Sequence, residues 1–302
     1  MKFPISFRRH DAAAYHETLN PEKDQVEIFT RLFKHEFPAE FLLSAEIQQL
    51  HSFTFPHGTR LLHATGEFEK NSLKRLDDTR AILYEMGRDD FYSPRAEQMA
   101  SHLNKIHGMY NIPNDEFLHT LSTFIYDLWG FINEFGWRKL TRNEELAIYH
   151  TYVRMGELMN IRDIPESFEA FKEWKKNYEL ENQAYSETNH LVAEGLMRGA
   201  REMLPAVLGP FLLPFVLSLK NKRFADLLGY RYPNILVRGF FRGVMRVRQL
   251  FNRLFTVWDV WDFEQALFKN YQTYPNGYNP MKLGPDKIIK YLEKADRKAE
   301  TA

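Results

Sequence analysis

Residues 113–135 read PNDEFLHTLSTFIYDLWGFINEF, and this stretch decides the fold class. Pro113-Asn114-Asp115 supplies a turn and a helix cap. From Glu116 onward, Phe117, Leu118, Leu121, Phe124, Ile125, Leu128, Trp129 and Ile132 place apolar groups nearly all round a helix. A helix that is apolar on every side belongs in the middle of other elements. The spacing therefore predicts a central buried helix over 116–135, with its neighbours wrapped round it.

The flanking segments supply those neighbours. Ser93-Pro94 reads as an N-cap followed by proline at the first helical position. The helix it opens reaches to about residue 111, with Met99, Leu103, Ile106 and Tyr110 at spacings of four, three and four. Before it, residues 67–87 form a helix with Leu73, Leu76, Ile82, Leu83 and Met86 on one face and Gly87 as its stop. Helical periodicity begins near Gln25 and breaks at Pro38, and residues 53–60, with Pro56 and Gly58, read as a loop.

Downstream, Thr141-Arg142-Asn143-Glu144 fits a capping box and opens a helix to about Met159. Pro165-Glu166-Ser167 starts the next, and further helices follow near 189–203, 224–228 and 235–255. Period-two alternation is scarce. The expectation is an all-α protein with one domain of about ten helices over 25–290. A polar arm, 1–24, precedes it and a polar tail, 291–302, follows.

Composition narrows the function. Lys+Arg and Asp+Glu balance at 40 each, so no overall field points to nucleic acid, and none is expected as a partner. Cysteine is absent, which excludes disulfides, thiolate nucleophiles, iron–sulfur clusters and thiolate-ligated haem. Aromatic residues make up 15% of the chain and suit a thick core or the lining of an apolar cavity. The first ten residues lack the apolar region of a signal peptide, and a cytoplasmic location is expected.

The most apolar stretch, 203–219, carries Pro205, Pro210 and Pro214 and is shorter than the roughly 20 residues of a spanning helix. It reads as buried or interfacial. Between 220 and 253 there are nine basic residues and one acid, Asp226. Arg238, Arg242 and Arg246 recur every four residues, with Phe240, Phe241 and Val244 between them and Val247 and Leu250 following. Such a helix either turns a solvated basic face outward with its apolar side in the core, or lies on an anionic membrane surface. The second reading gives a peripheral membrane contact through 203–253.

His-Glu-x-x-His does not occur. Gly-x-Gly-x-x-Gly, Walker and Gly-x-Ser-x-Gly patterns are missing as well, so nucleotide-binding and serine-hydrolase chemistry have no support. Two helices stand out. In one, Arg75 and Thr79 lie a turn apart beside Ile82, Leu83 and Met86. An arginine in line with an apolar stripe either stays partly exposed and pairs with Asp78, or meets an anion. In the other, His107 lies next to the Met99/Leu103/Ile106/Tyr110 stripe and is followed by Gly108. A mid-helix glycine costs about 1 kcal/mol relative to alanine, which makes sense if something flat approaches the backbone there. His107 reads either as a hydrogen-bonded core histidine or as a ligand.

At these two helices the sequence resembles the MpaB/latex-clearing protein (rubber oxygenase) family of haem b oxygenases. Its best-known members share an Arg-x-x-x-Thr helix and, about thirty residues on, a haem-ligating histidine, which here correspond to Arg75, Thr79 and His107. Gly58-Thr59-Arg60, Thr65-Gly66-Glu67-Phe68, the run from Asn104 to Tyr110, Phe135-Gly136-Trp137-Arg138 and Asn160-Ile161-Arg162-Asp163 resemble further family blocks, as does Tyr274-Pro275-Asn276-Gly277-Tyr278. The likeness spans roughly 53–285.

The resemblance implies a globin-like core with extra helices enclosing a haem pocket, haem b as cofactor and His107 on the iron. It gives Arg75, Thr79 and Tyr110 contacts to the cofactor, and Arg75 and Thr79 a part in catalysis with dioxygen. The implied activity is that of an oxidoreductase on a hydrophobic, isoprenoid or unsaturated lipid-like substrate. The alternative is a non-catalytic haem- or lipid-binding helical protein. One departure matters: the latex-clearing branch has lysine before the threonine, whereas this chain has Asp78, a poor partner for haem iron. His63, His102 and His119 are the candidates for the other face of the iron.

Overall fold

The computed structural model describes residues 5–8, 10–257 and 271–300. Among them, fifteen α-helices carry the fold. The first seven are α1 (Ala12–His16), α2 (Gln25–Arg31), α3 (Pro38–Ser52), α4 (Pro56–Thr65), α5 (Glu67–Lys70), α6 (Ser72–Gly87) and α7 (Pro94–His107). Then come α8 (Asn114–Phe135), α9 (Arg142–Leu158), α10 (Phe168–Asn182) and α11 (Glu187–Glu202). The last four are α12 (Gly209–Leu219), α13 (Lys222–Leu227), α14 (Ile235–Leu254) and α15 (Asp286–Glu300). Ile5–Phe7 and Phe255–Val257 form a two-stranded antiparallel ribbon with Ser6 opposite Thr256.

The all-round apolar helix takes the central place its sequence requires. Leu118, Leu121, Ile125, Leu128 and Ile132 of α8 are buried, with α3, α9 and α10 packed along it. The core divides into two apolar clusters. One gathers Leu121, Ile125 and Ile132 with Met86, Met99, Ile148 and Phe171. The other gathers Phe131 and Phe135 of α8 with Ile47, Leu196, Leu217 and Leu228. Local signals hold the helix ends: Ser93 Oγ accepts from Ala96 N at 3.2 Å, and Thr141 and Glu144 form the reciprocal capping box. The short helix of the N-terminal arm is fastened, because buried His16 bonds Glu144 through Nδ1 at 2.7 Å.

Four local expectations need correcting. Pro38 and Pro56 open α3 and α4 instead of ending structure, since a first-turn proline removes only an amide that would have no partner. Of residues 53–60, only 53–55 form a connection, and 56–60 belong to α4. The helix over 67–87 is two helices, divided at Asn71. The helix of His107 stops at that residue, so Gly108 is its cap and not a mid-helix glycine. Met109 N and Tyr110 N bond back three residues, to Ile106 O and His107 O, which tightens the last turn.

A fifth concerns the basic helix. The reading of 235–255 as a solvated basic face with its apolar side in the core is the one corrected, because α14 turns its apolar side outward. Arg242 donates to Ser218 O and to Glu134, and Arg248 pairs with buried Glu40 at 2.9 Å. Leu236, Phe240, Val247 and Leu250 face outward. Acceptors on α3, α8 and α12 hold Arg242 and Arg248, and the aliphatic side is left exposed. No helix among the described residues is long and apolar enough to cross a membrane.

Candidate functional site

Arg75 and Thr79 stand one turn apart on α6, as their spacing requires. Arg75 Nη1 donates to Thr79 Oγ1, and that hydroxyl donates onward to Arg75 O at 2.8 Å. The guanidinium also lies over the Phe68 ring of α5, 5.0 Å from its centroid. Among the described residues no carboxylate pairs with it. Burial pushes its pKa down, against the pull of Asp78, Glu67 and Tyr110. Arg75 is thus a desolvated cation with no protein counter-charge in contact, an arrangement that favours an incoming anion.

The approach of α11 sets the position of Phe68 and α6. A Cβ at Gly195 would come within 2.3 Å of Phe68 O, and one at Gly199 within 2.9 Å of Ser72 Cβ. The two glycines, a turn apart, let α11 lie directly against the backbone that carries Phe68 and leads into Arg75.

His107 ends α7. Its Nδ1 is buried with no hydrogen-bond partner among the described residues, and the ring lies 5.2 Å from that of Phe117 on α8. Burial lowers the imidazole pKa to about 4, and the Arg75 charge adds to the effect. The ring is therefore neutral at physiological pH, the form that donates a lone pair to a metal. Tyr110, a turn beyond, has its phenol raised by burial and by Glu67, with Arg75 opposing. Arg75, bonded to Thr79, thus lies within electrostatic reach of both His107 and Tyr110. A neutral imidazole with an unpartnered nitrogen, a cation without a counter-ion and two flanking rings fit haem b: iron for the one, a propionate for the other.

The remaining candidates are placed elsewhere. Asp78 is buried and held by Lys74 Nζ at 2.7 Å and by the Tyr274 hydroxyl, so neither Arg75 nor a ligand on its side uses it. His102 Nε2 bonds Leu283 O at 2.9 Å. His63, on the surface, bonds Glu69 at 2.6 Å.

His119 belongs to a cluster with no counterpart in the sequence reading. His119 Nε2 and His51 Nε2 each lie 3.2 Å from Glu179 Oε1, and Asp127 holds His51 Nδ1 at 2.5 Å. Two imidazoles and a carboxylate could ligate a metal. Lys175, however, already bridges Glu179 and Asp127, 3.3 Å from the latter, so its ammonium fills the place of a cation. The members come from α3, α8 and α10, and no local spacing announces them.

The fold is all-α, and among its described residues it sets an unpartnered imidazole nitrogen near an unpaired guanidinium. The chain belongs to the family described as ER-bound oxygenase mpaB/B'/rubber oxygenase, catalytic domain, whose model matches residues 47–250. It is 27% identical over 217 residues to the ER-bound oxygenase mpaB' of Penicillium brevicompactum, covering 66% of this chain and 51% of that protein. It is 29% identical over 184 residues to the ER-bound oxygenase mpaB of the same organism, covering 57% and 47%. The mpaB of Penicillium roqueforti is 28% identical over 184 residues, covering 57% and 61%. The chain spans about half the length of the curated relatives it matches.

Proposed function

We propose that this protein is a haem b-dependent oxygenase that acts with dioxygen on a hydrophobic, isoprenoid or unsaturated lipid-like substrate, with His107 as the iron ligand. The observation that carries the reading is the buried, unpartnered Nδ1 of His107 beside an unpaired Arg75. Family membership supports the reaction class, and the names of the relatives support an oxygenase. Haem, when bound, supplies the redox chemistry with dioxygen. The chain's own part is to bind, orient and keep the site dry.

In this reading His107 anchors the iron through a neutral imidazole, and Arg75, locked by Thr79, holds a propionate. The Phe68 and Phe117 rings exclude water and receive an apolar substrate. Tyr110 closes the edge at the end of α7. The place of the protein is the cytoplasmic side of a membrane, in peripheral contact through 203–253, where a lipophilic substrate partitions.

The test is the absorption spectrum of the purified protein supplied with haem, beside a His107→Ala variant. A Soret band that vanishes or shifts strongly in the variant supports both cofactor and ligand. No Soret band in the wild type after reconstitution overturns the reading. A Soret band without dioxygen uptake on a panel of unsaturated lipids assigns the protein to haem carriage instead.

A further inference from the structure

Helix α14 is amphipathic in the reverse of the usual sense. At about 100° per residue, Leu236, Phe240, Val247, Leu250 and Leu254 fall in one arc of the wheel. They are 58–80% exposed, and Val244 and Phe251 flank them. Its opposite arc is cationic and faces the protein. Arg242 and Arg248 are committed to Glu134 and Glu40, and Arg238 lies over Tyr232, 4.7 Å from the ring centroid. The start of α12, which packs against α14, extends the apolar surface with Val207, Leu208 and Phe211, all exposed. Exposed apolar surface of this extent is unfavourable in water and marks a surface that something covers.

We propose that this α12/α14 face seats the protein on an anionic lipid surface, with the axis of α14 along the membrane plane and its apolar arc among the acyl chains. The proposal gives the peripheral contact above a surface and an orientation, and it rests on that reading; it does not depend on haem. Charge selects the occupant. Arg246 and Arg253 are exposed at one edge of the apolar arc, and Arg231 is exposed just ahead of the helix. From 203 to 254 the one acid is Asp226, which Lys222 holds at 2.6 Å. A positive edge beside an apolar face matches the headgroups of an anionic leaflet. A second copy of the chain is a worse match, because a twofold contact through this face sets like-charged edges side by side.

The arrangement also accounts for the inward arginines. With their charges compensated by Glu134 and Glu40, the buried side of α14 is latched to the body, and the helix offers its whole outer arc without detaching. The seat is preformed.

The experiment is co-sedimentation of the full chain with phosphatidylcholine vesicles, with and without phosphatidylserine, at low and high salt. The wild type pellets with vesicles containing phosphatidylserine, and less at high salt. Replacing Phe240 and Val247 together by Asp abolishes pelleting with either vesicle; both are exposed, so helical content and melting temperature stay as in the wild type. Replacing Arg246 and Arg253 by Ala weakens binding to anionic vesicles roughly tenfold and leaves phosphatidylcholine binding unchanged. His107→Ala pellets like the wild type, and the surface variants keep any Soret band, so seat and haem site fail separately. Three results overturn the seat. A wild type that does not pellet assigns the face to a cover within the chain. A solution dimer that Val247→Asp makes monomeric assigns it to a second copy. Pelleting that survives the paired Asp substitutions places contact elsewhere.

Discussion

Arg75 and Thr79 close a loop on themselves. The guanidinium donates to the threonine hydroxyl, and the hydroxyl donates to the carbonyl of Arg75, one turn back. The loop fixes the arginine's rotamer before any ligand arrives, so the cost of ordering a long side chain is met in folding instead of in binding. A threonine here is a positioning residue, and its hydroxyl is occupied at both ends.

Thr79→Val keeps the shape and removes the acceptor. The expected result is a loss of about 1 kcal/mol in apo stability and a several-fold weaker uptake of haemin, with Thr79→Ser close to wild type. Haemin titration followed at the Soret band, with urea unfolding alongside, measures both. Arg75→Ala weakens uptake further. Unchanged haemin affinity in both Thr79→Val and Arg75→Ala would remove the pair from the site.

The imidazole of His107 has a pKa of about 4 in the fold against 6.5 for an unperturbed histidine. As pH falls below about 6.5 the unfolded chain takes up this proton first, so stability drops through the window from 6.5 to 4 and is unaffected above it. Between pH 7 and pH 5 the apo protein should lose about 1–2 kcal/mol from this residue. His119, lowered to about 4 chiefly by burial, acts in the same direction. Urea midpoints across the window should flatten partly, not wholly, in His107→Asn. An unchanged slope would show that the ring is not held neutral by the fold.

Lys175 is the resident cation of the His51–His119–Glu179 cluster, and its removal exposes two functions at once. Lys175→Met leaves Asp127 and Glu179 short of a buried counter-charge and should cost about 3–5 kcal/mol. The vacated space then suits a metal held by two imidazoles and a carboxylate. Zinc should raise the melting temperature of Lys175→Met and leave that of the wild type alone. Zinc stabilisation of the wild type would mean that the lysine yields to metal.

Gly195 lets α11 touch the backbone under the site. Gly195→Ala drives a methyl group into Phe68 O and should cost about 3 kcal/mol, with weaker haemin uptake as Phe68 shifts beneath Arg75. Gly239→Ala is the control, because nothing lies within 4 Å of its Cβ position. There alanine should be neutral or stabilising by about 0.5–1 kcal/mol. Equal effects at the two positions would mean that the α11 contact is loose.

Helix identity was legible wherever apolar spacing alone sets it, as in α8, or where a cap is written in adjacent residues, as at Ser93 and Thr141. Pro38 and Pro56 misled because a proline that ends one helix also suits the first turn of another. The amphipathicity of α14 was visible in its spacing, but which arc faces water was not. That depends on Glu40, Glu134 and Ser218, whose proximity no local pattern encodes. Arg75, Thr79, His107 and Tyr110 stood out through local oddity and family likeness together. The cluster round Glu179 did not, since its members meet only when α3, α8 and α10 pack.

The C-terminal stretch after residue 270 behaves like a clasp. Thr273 N bonds Asp77, the Tyr274 hydroxyl bonds Asp78, and the Tyr278 hydroxyl bonds Glu85, while Leu283 O takes His102 and Gly284 O takes Lys74. Leu283 and Tyr271 also complete the larger apolar cluster. Every one of these clasp residues lies beyond the 47–250 span that matches the family. A fragment cut to that span would leave buried Asp77 without its Thr273 partner and would strip one of two partners from Asp78 and Glu85, which keep Lys74 and Arg95. The family segment and the folding unit are therefore different lengths of chain, and the helices that bear Arg75 and His107 depend for their solvency on residues the family signature does not include.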